Sequence, residues 1–132
     1  MDLYAEEILD RYRNPLHKKS VARADAVAAD SNLLCGDDLQ ISFKLDKNNK
    51  ICEIGFTGVG CAISQASADL LCELAEGKTL KEVAALKKED VLKLLGVPIS
   101  AVRLKCALLS LKVLKMAAYA KLGLDAKKVG WE

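Results

Sequence analysis

The chain has 132 residues, 52% hydrophobic and 29% charged, proportions that exclude a disordered tract and allow one domain with a core of its own. No apolar run approaches the roughly 18 residues of a membrane-spanning helix, and 20 basic against 18 acidic residues leave a net charge of +2, too little to argue for nucleic acid. The balance is uneven: residues 1–77 carry eight Lys/Arg and thirteen Asp/Glu, residues 78–132 twelve and five, and solvated helix faces account for the basic second half more simply than an acidic partner does.

In chain order, Met1-Asp2-Leu3-Tyr4-Ala5-Glu6-Glu7 is acidic and amphipathic, unlike a signal peptide, so a cytoplasmic protein without membrane contact is expected. Leu3, Tyr4, Ile8, Leu9 and Tyr12 share one face of a helix over residues 2–13, which Asn14-Pro15 ends. Residues 15–38 read as irregular, with an edge strand near Val21–Ala29. Leu39 to Leu45 alternates as a half-buried strand, Asp46-Lys47-Asn48-Asn49 turns, and Ile51 to Thr57 returns as a second strand with Cys52, Ile54 and Phe56 on one face. Gly58-Val59-Gly60 is expected to break that strand. A helix follows from about Cys61 to Glu76, with Ile63, Ala66, Leu70, Leu71 and Leu74 inward and Gly77 as its stop. Thr79-Leu80-Lys81-Glu82 is a capping-box pattern opening a short helix, Lys88 to Leu95 forms another, and Val97-Pro98-Ile99 is extended. Ser100 can cap a last helix running to about Leu122; apart from Lys105, Lys112, Lys115 and Lys121 it is apolar on most faces, as a buried central helix would be. These elements predict a single α+β domain over 1–132: a small antiparallel sheet of about three strands packed against several helices, with a long buried C-terminal helix.

The five cysteines, at 35, 52, 61, 72 and 106, are an odd count and argue against a disulfide framework. Cys52 on an apolar strand face and Cys72 beside Leu70, Leu71 and Leu74 read as core residues. The other three occupy different settings. Cys35 lies in the loop Leu34-Cys35-Gly36-Asp37-Asp38, where positive φ at Gly36 would let Cys35 and Asp37 converge. Cys61 and Cys106 sit at helix starts, where the dipole favours an anion. Three thiols and a carboxylate form a four-ligand set suited to zinc or an iron–sulfur cluster. With ligands from distant segments and no CxxC pair, the expected site is shallow and partly exposed. His17, the only histidine, reads as a solvated loop residue. No phosphate-binding glycine motif occurs, and no catalytic residue is assigned.

These residues resemble the IscU/SufU/NifU-type scaffold proteins of iron–sulfur cluster assembly over nearly the whole chain. Tyr12-Arg13-Asn14-Pro15, Leu34-Cys35-Gly36-Asp37-Asp38, Gly58-Val59-Gly60-Cys61-Ala62-Ile63-Ser64 and Arg103-Leu104-Lys105-Cys106-Ala107 carry the resemblance, with the three motif cysteines in order. It implies a scaffold, not an enzyme, that builds a labile cluster, 2Fe–2S first among the types, with zinc able to occupy the same thiolates. It implies Cys35, Cys61, Cys106 and Asp37 as ligands, a cysteine desulfurase as persulfide donor, and apo iron–sulfur proteins as acceptors. Lys105 and a second subunit, in a homodimer, are the other sources of a fourth ligand. Two features depart from the IscU branch. Lys105 stands where that branch has His and looks like the SufU branch, yet Cys61 and Cys106 are only 45 residues apart, without the extra SufU segment. This leaves a zinc-containing sulfurtransferase fed by a desulfurase as the alternative. The segment an Hsp70-type chaperone reads in the IscU branch is here Val97-Pro98-Ile99-Ser100-Ala101, so the resemblance does not extend to a dedicated chaperone. Lys105, poorly suited as a ligand when protonated, is expected to act electrostatically, on the Cys106 thiol and by pairing with Asp37 when no metal is bound.

Overall fold

A computed structural model describes residues 3–32 and 36–123, with side chains from Glu6 onward. The elements follow the expected order: α1 (Leu3–Arg13), β1 (Ala26–Asn32), β2 (Asp37–Leu45), β3 (Ile51–Val59), α2 (Ala62–Ala75), α3 (Leu80–Ala84), α4 (Lys88–Leu95) and α5 (Ala101–Leu122). The three strands form one antiparallel sheet in the order β1-β2-β3. The alternation of β2 buries Leu39, Ile41 and Phe43, each burial worth about 2 kcal/mol. Helix α5 packs on β1 and β2, and α2 packs on β3, α1 and α5. Leu111 and Leu114 of α5 are fully enclosed, as expected for its apolar faces. Gly96 and Gly123 close α4 and α5 in the left-handed region, and the Thr79–Glu82 capping box forms. No described helix is long and apolar enough to cross a membrane.

Several expectations shift. The edge strand β1 starts later than Val21, whose N–H is taken by the Ser42 hydroxyl at 3.0 Å instead of by a sheet ladder. Gly58 does not break β3. It pairs with Leu39 at φ +130°, and a Cβ there would stand 1.9 Å from the Asp38 carbonyl oxygen. Only glycine lets the strands pass so closely, and the continuation to Val59 delivers Gly60 and Cys61 beside the start of β2. Cys52 is exposed, not core. Leu45 pairs with Ile51 and Lys44 with Glu53, so Cys52 is the extra residue of a bulge. The bulge turns Ile51 inward and leaves the Cys52 thiol against the Lys44 carbonyl at 3.4 Å. Lys115 is not solvated either. Its ammonium donates to the Leu86 carbonyl at 2.6 Å while the Tyr119 hydroxyl donates to Ala84 O at 3.2 Å, so α5 satisfies the carbonyls at and just beyond the end of α3. Burial lowers the Lys115 pKa from its ordinary value.

His17 is likewise structural. Its carbonyl accepts the Phe56 N–H at 2.9 Å, tying the segment after Pro15 to the outer edge of β3. Its ring Nε2 lies 3.2 Å from a Glu76 carboxylate oxygen. The anchor of this segment is Asp69 on α2, which is 0% exposed. Asp69 Oδ1 accepts the N–H groups of Leu16 (2.9 Å) and His17 (2.7 Å), and Oδ2 accepts Arg11 Nη1 at 3.0 Å. A buried carboxylate is tolerated only when its lone pairs are matched in this way. Asp69→Asn keeps one accepting oxygen and points an NH2 group at the guanidinium. It should cost about 2 kcal/mol, the weight of one charge-assisted hydrogen bond, read as a lower urea midpoint at unchanged slope. An unchanged midpoint would mean that the pair contributes nothing.

Candidate metal centre

Three elements converge beside the β2–β3 end of the sheet. Gly36 takes φ +68°, the left-handed turn its sequence suggests, and Asp37 opens β2 immediately after it. Cys61 is the N-cap of α2, extended at φ −74°, ψ 168°, with its sulfur accepting the Ser64 N–H at 3.5 Å. Cys106 lies in the second turn of α5 and is fully buried. A ligand atom from each of Asp37, Cys61 and Cys106 lies within 4.8 Å of the other two. Two serines one turn apart on α2 fix this convergence. Ser64 binds Asp37 through its hydroxyl. Ser67 donates to the Ala107 carbonyl at 2.6 Å and meets Ser110 Oγ at 2.9 Å, holding α5 next to Cys106. The Cys106 sulfur also lies 3.9 Å from Asn32 Nδ2.

The state of Asp37 is the telling feature. It is 2% exposed. Its Oδ1 accepts the Cys61 N–H at 3.0 Å and the Ser64 hydroxyl at 3.1 Å. Its Oδ2 is buried without a hydrogen-bond partner among the described residues. A buried, unpaired carboxylate oxygen costs several kcal/mol unless something cationic takes it. Two thiols within 4.8 Å complete a donor set of sulfur and oxygen that fits zinc or iron.

Cys61, Cys106 and Asp37 thus come together as the sequence suggests, but the site is deeper than expected. Among the described residues only Cys61 is partly open to solvent. Cys35 lies outside the described residues. Lys105 is exposed and makes no ion pair with Asp37. Neighbouring residues on a helix point about 100° apart, so the turn that buries Cys106 swings Lys105 outward, and Oδ1 of Asp37 bonds Cys61 and Ser64 instead. Cys72 is enclosed in α2, where burial pushes its thiol pKa well up. Ser64 and Ser67 escaped the reading of the sequence. The signal for Ser64 was its place three residues after the N-cap, where capping bonds close.

The NifU-like N terminal domain family model matches residues 3–126. The chain belongs to that family. Its relatives include the iron–sulfur cluster assembly enzyme IscU of Drosophila melanogaster, 34% identical over 119 residues and covering 87% of this chain and 75% of the relative. Another is the zinc-dependent sulfurtransferase SufU of Bacillus subtilis, 32% identical over 130 residues, covering 86% and 87%. Among solved structures, a protein of Fervidobacterium islandicum described as an iron–sulfur cluster assembly scaffold for the SUF system superposes with a TM-score of 0.75 at 29% identity, covering 86% of this chain and 94% of the other. As a NifU-like domain, the chain carries its candidate ligands at β2, at the α2 N-cap and in α5.

Proposed function

We propose that this chain is a scaffold on which an iron–sulfur cluster, of the 2Fe–2S type, is assembled and then passed to apo-proteins. The observation that carries the reading is Asp37, which brings a carboxylate oxygen within 4.8 Å of the Cys61 and Cys106 thiols and whose buried Oδ2 has no hydrogen-bond partner among the described residues. Cys35, the residue before Gly36, would be the third sulfur. Sulfur would arrive as the persulfide of a cysteine desulfurase. A scaffold thiolate attacks the outer persulfide sulfur, the new S–S bond forms, and the donor leaves as thiolate with no net oxidation. Cys61, partly exposed and with the Ser64 N–H on its sulfur, is the accessible nucleophile for that step among the described ligands. The cluster is cargo, so the protein's contribution is to hold it and to let it go.

A second reading, a zinc-dependent sulfurtransferase, is favoured by one feature: Lys105 stands before Cys106 as in the SufU branch. The SufU alignment runs over 130 positions against 86% of this chain, as it would if that relative carried an insertion. Its zinc would occupy the same thiolates and Asp37. Anaerobic purification followed by iron, zinc and acid-labile sulfide analysis separates the two. We expect iron with sulfide after reconstitution with a desulfurase, cysteine and iron. Stoichiometric zinc that resists replacement, with persulfide on one cysteine and no sulfide, would replace the scaffold reading with the sulfurtransferase.

A further inference from the structure

We propose that Ser64 is the positioning residue of this site: its hydroxyl and the Cys61 N–H together occupy Oδ1 of Asp37, so that Asp37 offers a metal Oδ2 alone. The inference rests on the metal-centre reading above and adds to it the orientation and denticity of the carboxylate.

Three observations carry it. First, the two oxygens of Asp37 are unequal. Oδ1 holds two donors, at 3.0 and 3.1 Å, and Oδ2, although buried, holds none among the described residues. Second, the Ser64 hydroxyl has a competing acceptor and one proton. The Cys61 carbonyl is 3.0 Å away, in the local back-bonding that helical serines commonly adopt. That carbonyl already accepts the Gln65 N–H at 3.1 Å, and a carboxylate is the stronger acceptor. The proton therefore goes to Asp37. Third, the bond is made in space that a side chain at residue 60 would take. A Cβ on Gly60 would lie 2.4 Å from Ser64 Oγ and 2.5 Å from Asp37 Oδ1, so the glycine before Cys61 is the space in which this bond is made.

The same residue also donates its backbone N–H to the Cys61 sulfur at 3.5 Å. Ser64 thereby addresses a cysteine sulfur and a carboxylate from one turn of one helix and orients both before any metal arrives. Partners behind ligating carboxylates and histidines typically matter 10–100-fold in metal affinity, and pre-set orientation is the physical source of that effect.

The test is a cobalt(II) competition titration of the metal-free protein, followed by visible absorbance, on wild type, Ser64→Ala, Asp37→Ala and the double variant. Ser64→Ala should bind cobalt at unchanged stoichiometry, about 10-fold more weakly or worse. Its d–d bands should lose intensity, because the released Oδ1 can join Oδ2 and raise the coordination number. In the Asp37→Ala background, Ser64→Ala should cost nothing further, because its effect runs through the carboxylate. Wild-type affinity and spectrum in Ser64→Ala, or an equal loss in both backgrounds, overturns the proposal. Should wild type itself bind cobalt without sulfur-to-metal charge transfer, or bind it equally after Cys61→Ser, the metal centre fails and the role of Ser64 falls with it.

Discussion

Cys61→Ser, Cys106→Ser and Cys35→Ser should each reduce cobalt or zinc uptake, and the visible absorbance of a reconstituted cluster, to near background. The Cys61 variant is the sharpest of the three. Serine is among the best N-cap residues, and its oxygen can take over the Ser64 N–H that the sulfur accepts now. The start of α2 should therefore survive while the soft donor is lost, and circular dichroism should match wild type. The control pair is Cys52→Ala and Cys72→Ala, which should keep full metal content. Cys72 is enclosed in the core, and trimming it costs about 1–2 kcal/mol in packing. Cys52 projects from a bulge and should cost less. Full metal occupancy in Cys61→Ser would remove the N-cap thiol from the ligand set, and with it the case for a centre at this junction.

How much of this was legible in the sequence depends on the range over which each residue acts. Helix limits were legible because capping is local. Thr79 with Glu82, Gly77, Gly96 and Gly123 each act within one turn, and each stands where its residue type demands. Three of the candidate ligands were legible too, because a thiol at a helix start and a carboxylate after a turn glycine are local signals of the same kind. The environment of those residues was not. Cys52 looked like a core residue because strict alternation from Ile54 and Phe56 puts it on their face. One bulge, set by the pairing of Leu45 with Ile51, reverses the phase. Gly58 looked like a break, although its function is close passage against Asp38, a contact with a residue 20 positions earlier. Asp69 drew no notice, because a lone aspartate in an apolar helix shows no sign of the two N–H groups and the guanidinium that meet it from more than 50 residues away. Lys105 was paired with Asp37 on charge alone, and the direction in which the α5 turn sends it decides otherwise.

Asp37→Ala should leave a longer-lived cluster on the protein and slow its transfer several-fold. The reason lies in what the carboxylate can do when it lets go. Its oxygen is a harder donor than the thiolates beside it and holds iron less firmly. Leaving a metal would normally strand a buried anion, at a cost of several kcal/mol. Here the Cys61 N–H and the Ser64 hydroxyl keep Oδ1 bonded throughout, so only the Oδ2 contact has to open. As the harder donor, and with that cost confined to Oδ2, Asp37 is the ligand iron releases first, and its departure gives an incoming acceptor thiolate a place to bind. Alanine removes that opening and leaves the cysteines to be displaced, each a softer and stronger ligand. The measurement is the decay of visible absorbance under argon after adding a chelator or an apo-ferredoxin. Decay as fast as wild type would show that Asp37 does not control release. Faster decay would show that the carboxylate holds the cluster instead of freeing it. The metal-free protein gives an independent check on the same residue: Asp37→Ala removes an oxygen that has no hydrogen-bond partner among the described residues but orphans the Cys61 N–H, while the Ser64 hydroxyl can turn to the Cys61 carbonyl, and these opposing costs should leave its unfolding free energy in urea within about 1 kcal/mol of wild type.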